Sequence, residues 1–119
     1  MKFSVKSREF EITLHDTPTA EAIRKALPIE VTALRWGDEI YCPTDVDLPK
    51  EPDARELVEV GEVAYWPPQG AIALFFGKTP VSTDERPRAA SACNVFGTFE
   101  VDLEFLRSVP DGAPIRFFE

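Results

Sequence analysis

The sequence predicts a single, mostly β domain closed into a barrel, with one or two short helices. Short segments that alternate apolar and polar residues recur along most of the chain, which is the pattern of strands with one buried face. Turn-forming residues separate them, and one run, Ala71 to Phe76, is apolar on both faces and short, as a deeply buried strand would be. Many short strands and few helices favour closure of the sheet, because closure removes exposed edges.

The elements follow in order. Lys2 to Lys6 and Glu9 to Leu14 alternate, with Phe3, Val5, Phe10, Ile12 and Leu14 on one face, and read as a hairpin. Its turn, Ser7-Arg8, lacks the Gly or Asn that tight hairpins favour. Thr17 suits a helix cap and Pro18 a first helical position, with Ala22, Ile23, Ala26 and Leu27 at helical spacing before Pro28 ends the helix. Ile29 to Tyr41 returns to strand character and is broken by Gly37-Asp38, which predicts a second hairpin.

Pro43 to Glu56 is rich in acids and prolines without apolar periodicity, and is expected to be a solvated loop. Leu57 to Val60 and Glu62 to Trp66 flank Gly61 as strands, followed by the Ala71 to Phe76 run between Gly70 and Gly77. Lys78 to Ala90 is a long polar loop, Ala92 to Phe99 a strand, and Val101 to Val109 a short helix stopped by Pro110. Pro114 to Phe118 is the last strand. No repeat or linker divides residues 1–119, and a chain of that length buries roughly two thirds of its unfolded surface in one core.

Composition removes several functional classes. With 21 acidic and 13 basic residues the formal charge is −8, which repels nucleic-acid phosphate and anionic membranes; neither is an expected partner. No segment approaches the roughly 20 apolar residues of a membrane span, and the charged N-terminal stretch is not expected to act as an export signal. Two cysteines without metal-knuckle spacing suit a reduced, cytoplasmic protein. One His and two distant Cys make a metal site improbable, and no cofactor is implied.

Few residues carry chemistry. His15, beside Asp16, has no nucleophile near it in sequence and reads as a surface residue. Asp45-Val46-Asp47 is a chance-level acidic pattern in a solvated loop. Arg86 and Arg88 suit either an anionic group or pairing with the abundant acids. Trp66-Pro67-Pro68 suits either a pocket wall or a strand end turning into a loop.

The stretch L-F-F-G-K-T-P, the long polar loop after it, and N-V-F-G-T-F-E-V-D-L-E-F-L from Asn94 to Leu106 resemble the C-terminal half of cyclophilins. Trp36 to Tyr41, Glu59 to Pro68, Phe75 to Pro80 and Asn94 to Gly97 resemble more specifically a group of small prokaryotic cyclophilin-like proteins of uncharacterised function. The resemblance spans most of the chain and implies a closed eight-stranded barrel with helical caps.

Its implication for activity is weaker. Prolyl isomerases of this fold use an Arg from an F-H-R strand, a Gln two residues before the second Phe of F-F, that Phe, and a Trp and a His further on. Phe76 matches the second Phe, Leu74 stands at the Gln position and Cys93 at the His position, and the loop from Thr79 to Ala90 has no Trp. Arg35 is the one candidate for the arginine, its alternative being a strand residue paired with Asp38 or Glu39. The expected function is a non-catalytic domain that binds a peptide segment or small ligand, the alternative a weak peptidyl-prolyl isomerase using Arg35 and Phe76. The expected groove is lined by Trp36, Tyr65, Trp66, Leu74, Phe76, Arg88 and Cys93. A second copy of the chain, in a homodimer, is a further candidate partner.

Overall fold

The computed structural model describes residues 1–119. The first two strands, β1 (Lys2–Val5) and β2 (Arg8–Leu14), form the expected hairpin. Its two-residue turn is Lys6-Ser7, with φ of 51° and 64°. Positive φ at both central residues is the turn whose twist matches the flanking strands, adopted here without glycine. Helix α1 (Pro18–Ala26) starts where Thr17 caps it, its hydroxyl accepting from the Ala20 amide at 3.1 Å. Ala20 and Ile23 bury themselves in the core.

The chain then continues through β3 (Ile29–Arg35), β4 (Glu39–Pro43), β5 (Arg55–Leu57), β6 (Glu62–Trp66), a single 3₁₀ turn at Pro67–Gln69, β7 (Ala71–Phe75), β8 (Arg88–Phe99), helix α2 (Leu103–Arg107) and β9 (Ala113–Phe118). Eight of these strands close a ring in the order β1-β9-β3-β4-β7-β6-β8-β2, with β2 returning to β1. Every neighbouring pair is antiparallel. No helix is long and apolar enough to cross a membrane.

The ring interior holds the main core. Phe3 stacks on Phe10 with centroids 4.8 Å apart, and Phe99 meets Phe3 edge-on at 5.5 Å. Val63, Tyr65, Ile72, Leu74, Phe76, Phe96 and Phe117 belong to the same cluster. A second, smaller cluster lies on the outside of the ring, formed by Val58, Ala64, Ala73, Phe75, Ala89 and Cys93.

Three elements differ from expectation. The strand near residue 57 occupies Arg55–Leu57, because β5 pairs with the first half of β8 (Arg55 opposite Cys93, Leu57 opposite Arg88). For the same reason β8 starts at Arg88 inside the expected polar loop, and its twelve residues serve the outer strand first and the ring afterwards. The segment from Thr44 to Ala54 is more than a solvated loop: the Tyr65 hydroxyl donates to the Val46 carbonyl at 2.5 Å and accepts from the Leu48 amide at 3.0 Å. Asn94 pins the same segment, accepting from the Glu51 amide at 2.8 Å and donating to the Pro49 carbonyl at 3.0 Å. Buried polar side chains need such partners, and here the partners are loop backbone.

Candidate functional site

Strand side chains alternate between the two faces of a sheet, so each strand of a closed ring writes its core and its exterior on interleaved positions. On β4, β7 and β6 the interior takes Ile40, Cys42, Ile72, Leu74, Val63 and Tyr65. The exterior takes Glu39, Tyr41, Ala73, Phe75, Ala64 and Trp66. Across the ladders Glu39 lies opposite Phe75, Tyr41 opposite Ala73, and Ala73 opposite Ala64. Two short alanines thus sit among large side chains, and the first half of β8 supplies Ala89, Ala90 and Cys93 on one side.

The result is a cavity of about 270 Å³ lined by Trp36, Glu39, Tyr41, Trp66, Gln69, Phe75, Ala89, Ala90 and Cys93. Trp66 is oriented by its indole N–H, which donates to the Ser91 hydroxyl at 2.7 Å. Trp36 is set by the β3–β4 hairpin, its amide donating to the Glu39 carbonyl at 3.0 Å.

Glu39 is the chemical feature of this cavity. Its residue is 6% exposed, its Oε1 is buried without a partner, and neither oxygen accepts a hydrogen bond or ion pair from the protein. Burial pushes its carboxyl up to about 8. Glu62, the other buried acid of the outer face, is handled differently: Arg55 donates to both of its oxygens at 3.0 and 2.9 Å, and the Glu59 amide donates at 2.7 Å. Burial, then the negative charge of Glu39, pushes the Cys93 thiol up to about 12, and the Cys42 thiol is raised further by the same causes.

The expected groove residues divide between the two faces. Trp36, Trp66 and Cys93 line the cavity. Tyr65, Leu74 and Phe76 point into the ring, at 0%, 0% and 2% exposure, since the period of two that sets Phe75 outward sets them inward. Arg88 stands beside the cavity, one residue before Ala89, and pairs with Glu56 at 3.7 Å.

Arg35 and Phe76 are neighbours, the guanidinium lying 5.3 Å from the ring centre. The guanidinium itself donates to three carbonyls: Nη1 to Arg107 at 3.1 Å and Val109 at 3.0 Å, Nη2 to Gly37 at 2.8 Å. His15 is exposed, as are Asp45 and Asp47, and no group of His, Cys, Asp and Glu is arranged to hold a metal.

Sequence reasoning missed Glu39, Tyr41, Gln69, Phe75, Ala89 and Ala90. One signal was available: Glu39 and Tyr41 share a strand face, with the buried Ile40 between them.

The fold agrees with known proteins. The family model described as cyclophilin-like matches residues 1–118. The chain belongs to the cyclophilin-like family. Among solved structures this cyclophilin-like chain is similar to the hypothetical protein AF2241 from Archaeoglobus fulgidus, known from a solution structure. The two are 47% identical over 97% of this chain and 89% of that one, with a TM-score of 0.79. A search of curated proteins finds no match.

Proposed function

We propose that this cyclophilin-like domain is a non-catalytic binding module whose ligand, a small molecule or a single side chain of a peptide, seats in the outer-face cavity. The observation that carries the reading is a preformed depression lined by four aromatic side chains, Trp36, Tyr41, Trp66 and Phe75, with Glu39 and Gln69 among them. Such concave, mostly apolar sites with a few polar groups are where small ligands bind. At about 270 Å³ it lies just below the range of drug-sized ligand sites, which begins near roughly 300 Å³, and suits one head group or one side chain.

The polar groups of prolyl isomerisation are not assembled around it. Leu74 and Phe76 face the ring interior, and the Arg35 guanidinium is engaged by backbone carbonyls. An aromatic pocket without a catalytic donor favours binding over turnover.

Titration of ¹⁵N-labelled protein with small apolar fragments and proline-containing peptides tests the proposal. Shifts should concentrate at the indole N–H groups of Trp36 and Trp66 and the amides of residues 39–41, 73–75 and 89–93. If every compound leaves these resonances unmoved, the assignment of the cavity as a binding site fails.

A further inference from the structure

We infer that the ligand of this cavity is an organic cation, an alkylated ammonium head group held between the aromatic walls and the Glu39 carboxylate. The inference rests on reading the cavity as a binding site and adds the chemistry of what enters it.

Two independent observations point the same way. The first is Glu39: a residue only 6% exposed that lines the cavity, its Oε1 buried and without a partner, with no hydrogen bond or ion pair to its carboxyl from any protein group. Buried polar groups are ordinarily satisfied, and an unpaired buried carboxyl costs stability unless a partner arrives from outside. The contrast with Glu62, whose two oxygens are forked by Arg55, shows that this sheet face can satisfy a buried acid where a partner is provided.

The second concerns the rings. Cations of this chain sit over Phe10, Phe76, Phe105 and Phe118. None covers Trp36, Tyr41, Trp66 or Phe75, and the cavity lining contains no Lys or Arg. The aromatic pairs also lie elsewhere, among Phe3, Phe10, Phe99, Phe105 and Phe117. Aromatic side chains grouped around a carboxylate, with their faces unused by the protein's own cations, form the arrangement that recognises quaternary ammonium ions. An anionic ligand is disfavoured by the overall charge of −8.

The titratable groups near Glu39 are Tyr41 on its own strand, Cys93 on β8 and Cys42 behind the sheet; Arg88 beside the cavity pairs with Glu56 at 3.7 Å, and the adjacent Asp38 is occupied by Arg107 at 2.8 Å and Arg35 at 3.9 Å. Because burial holds the empty-site carboxyl up to about 8, a cation entering at pH 7 displaces its proton. Cation binding therefore strengthens as pH rises toward 8 and levels off above it.

The test compares choline with 3,3-dimethylbutan-1-ol, its neutral isostere, by calorimetry and by the Trp36 and Trp66 indole resonances, on wild type and Glu39→Gln. A peptide carrying trimethyl-lysine, run beside choline, separates a side-chain source of the ammonium from a free small molecule. Choline or that peptide should bind wild type at least tenfold more tightly than the alcohol, with close to one proton released at pH 7. Glu39→Gln should abolish that preference. If the alcohol binds wild type as tightly as the cations, or Glu39→Gln keeps the preference, the cation assignment is overturned while the binding site stands. If the cations, the alcohol and the apolar fragments all leave both indoles unmoved, site and assignment fall together.

Discussion

The Arg35 guanidinium covers the Phe76 ring at 5.3 Å while donating to the carbonyls of Arg107 and Val109, at and just beyond the C-terminal end of α2. One side chain thereby ties the β3–β4 hairpin to the helix end and seals one residue of the core. Charged donors to backbone carbonyls contribute about 1.5–3 kcal/mol each where they are partly buried. Arg35→Ala should lower stability by about 2–3 kcal/mol, read as a shift of the urea midpoint at constant slope. In a protease-coupled assay, wild type and variant should both isomerise prolyl peptides at the background rate. A wild-type rate well above background that Arg35→Ala removes would instead make this pair catalytic.

The pH dependence of stability follows from Glu39. Its carboxyl ionises near 4.5 in the unfolded chain and at about 8 in the fold, so the native state holds a proton that unfolding releases throughout that window. Stability from this group is fully present below pH 4.5, falls by about 1.4 kcal/mol per pH unit above it, and is lost by pH 8. The total is on the order of 3–5 kcal/mol. Denaturation midpoints measured from pH 5 to 9 should decline for wild type, and Glu39→Gln should flatten the decline and be the more stable protein at pH 9. Parallel profiles would show that Glu39 ionises freely.

Tyr65 and Asn94 hold the segment from Thr44 to Ala54 from inside the sheet. Tyr65→Phe keeps the ring packing and removes only the hydroxyl, at a cost of about 1–2 kcal/mol, and Asn94→Ala leaves the Glu51 amide unpaired. Both should speed hydrogen exchange at residues 46–51 while leaving β1, β2 and β9 protected. Equal acceleration in those strands would mean that the segment is part of the cooperative core.

The thiols offer a check on cavity access. Cys93 and Cys42 are both 0% exposed, and burial drives each thiol far above its ordinary range, Cys93 to about 12. Thiolate is the reacting form, so native protein at pH 8 should react with a disulfide reagent orders of magnitude more slowly than unfolded protein. Rapid reaction of Cys93 in the folded state would indicate that β5, whose Arg55 carbonyl accepts from the Cys93 thiol, separates readily from β8.

Much of the ring was legible in the sequence because its cues are local. Thr17 and Pro18 mark a helix start through one side-chain bond and one fixed dihedral, and Phe10 and Ile12 alternate against charged neighbours. The site was harder to read. From Ala71 to Phe76 every residue is apolar, so nothing in the run distinguishes inward Leu74 and Phe76 from outward Ala73 and Phe75. Glu39 looks like an ordinary hairpin acid until β7 and β8 bury it. The start of β8 at Arg88 depends on pairing with β5, more than thirty residues earlier, and its polar sequence gives no hint of that partner.

The interleaving of cavity and core on the same strands also bears on how such a domain diversifies. Phe75, Ala89 and Cys93 of the outer cluster line the recess, while Val63, Tyr65, Ile72 and Leu74 belong to the ring interior, so substitutions at the first set can reshape the recess without repacking the second. Lineages sharing this barrel can thus drift in ligand preference while the residues that fold it stay under unchanged constraint, an economy that makes the scaffold evolvable.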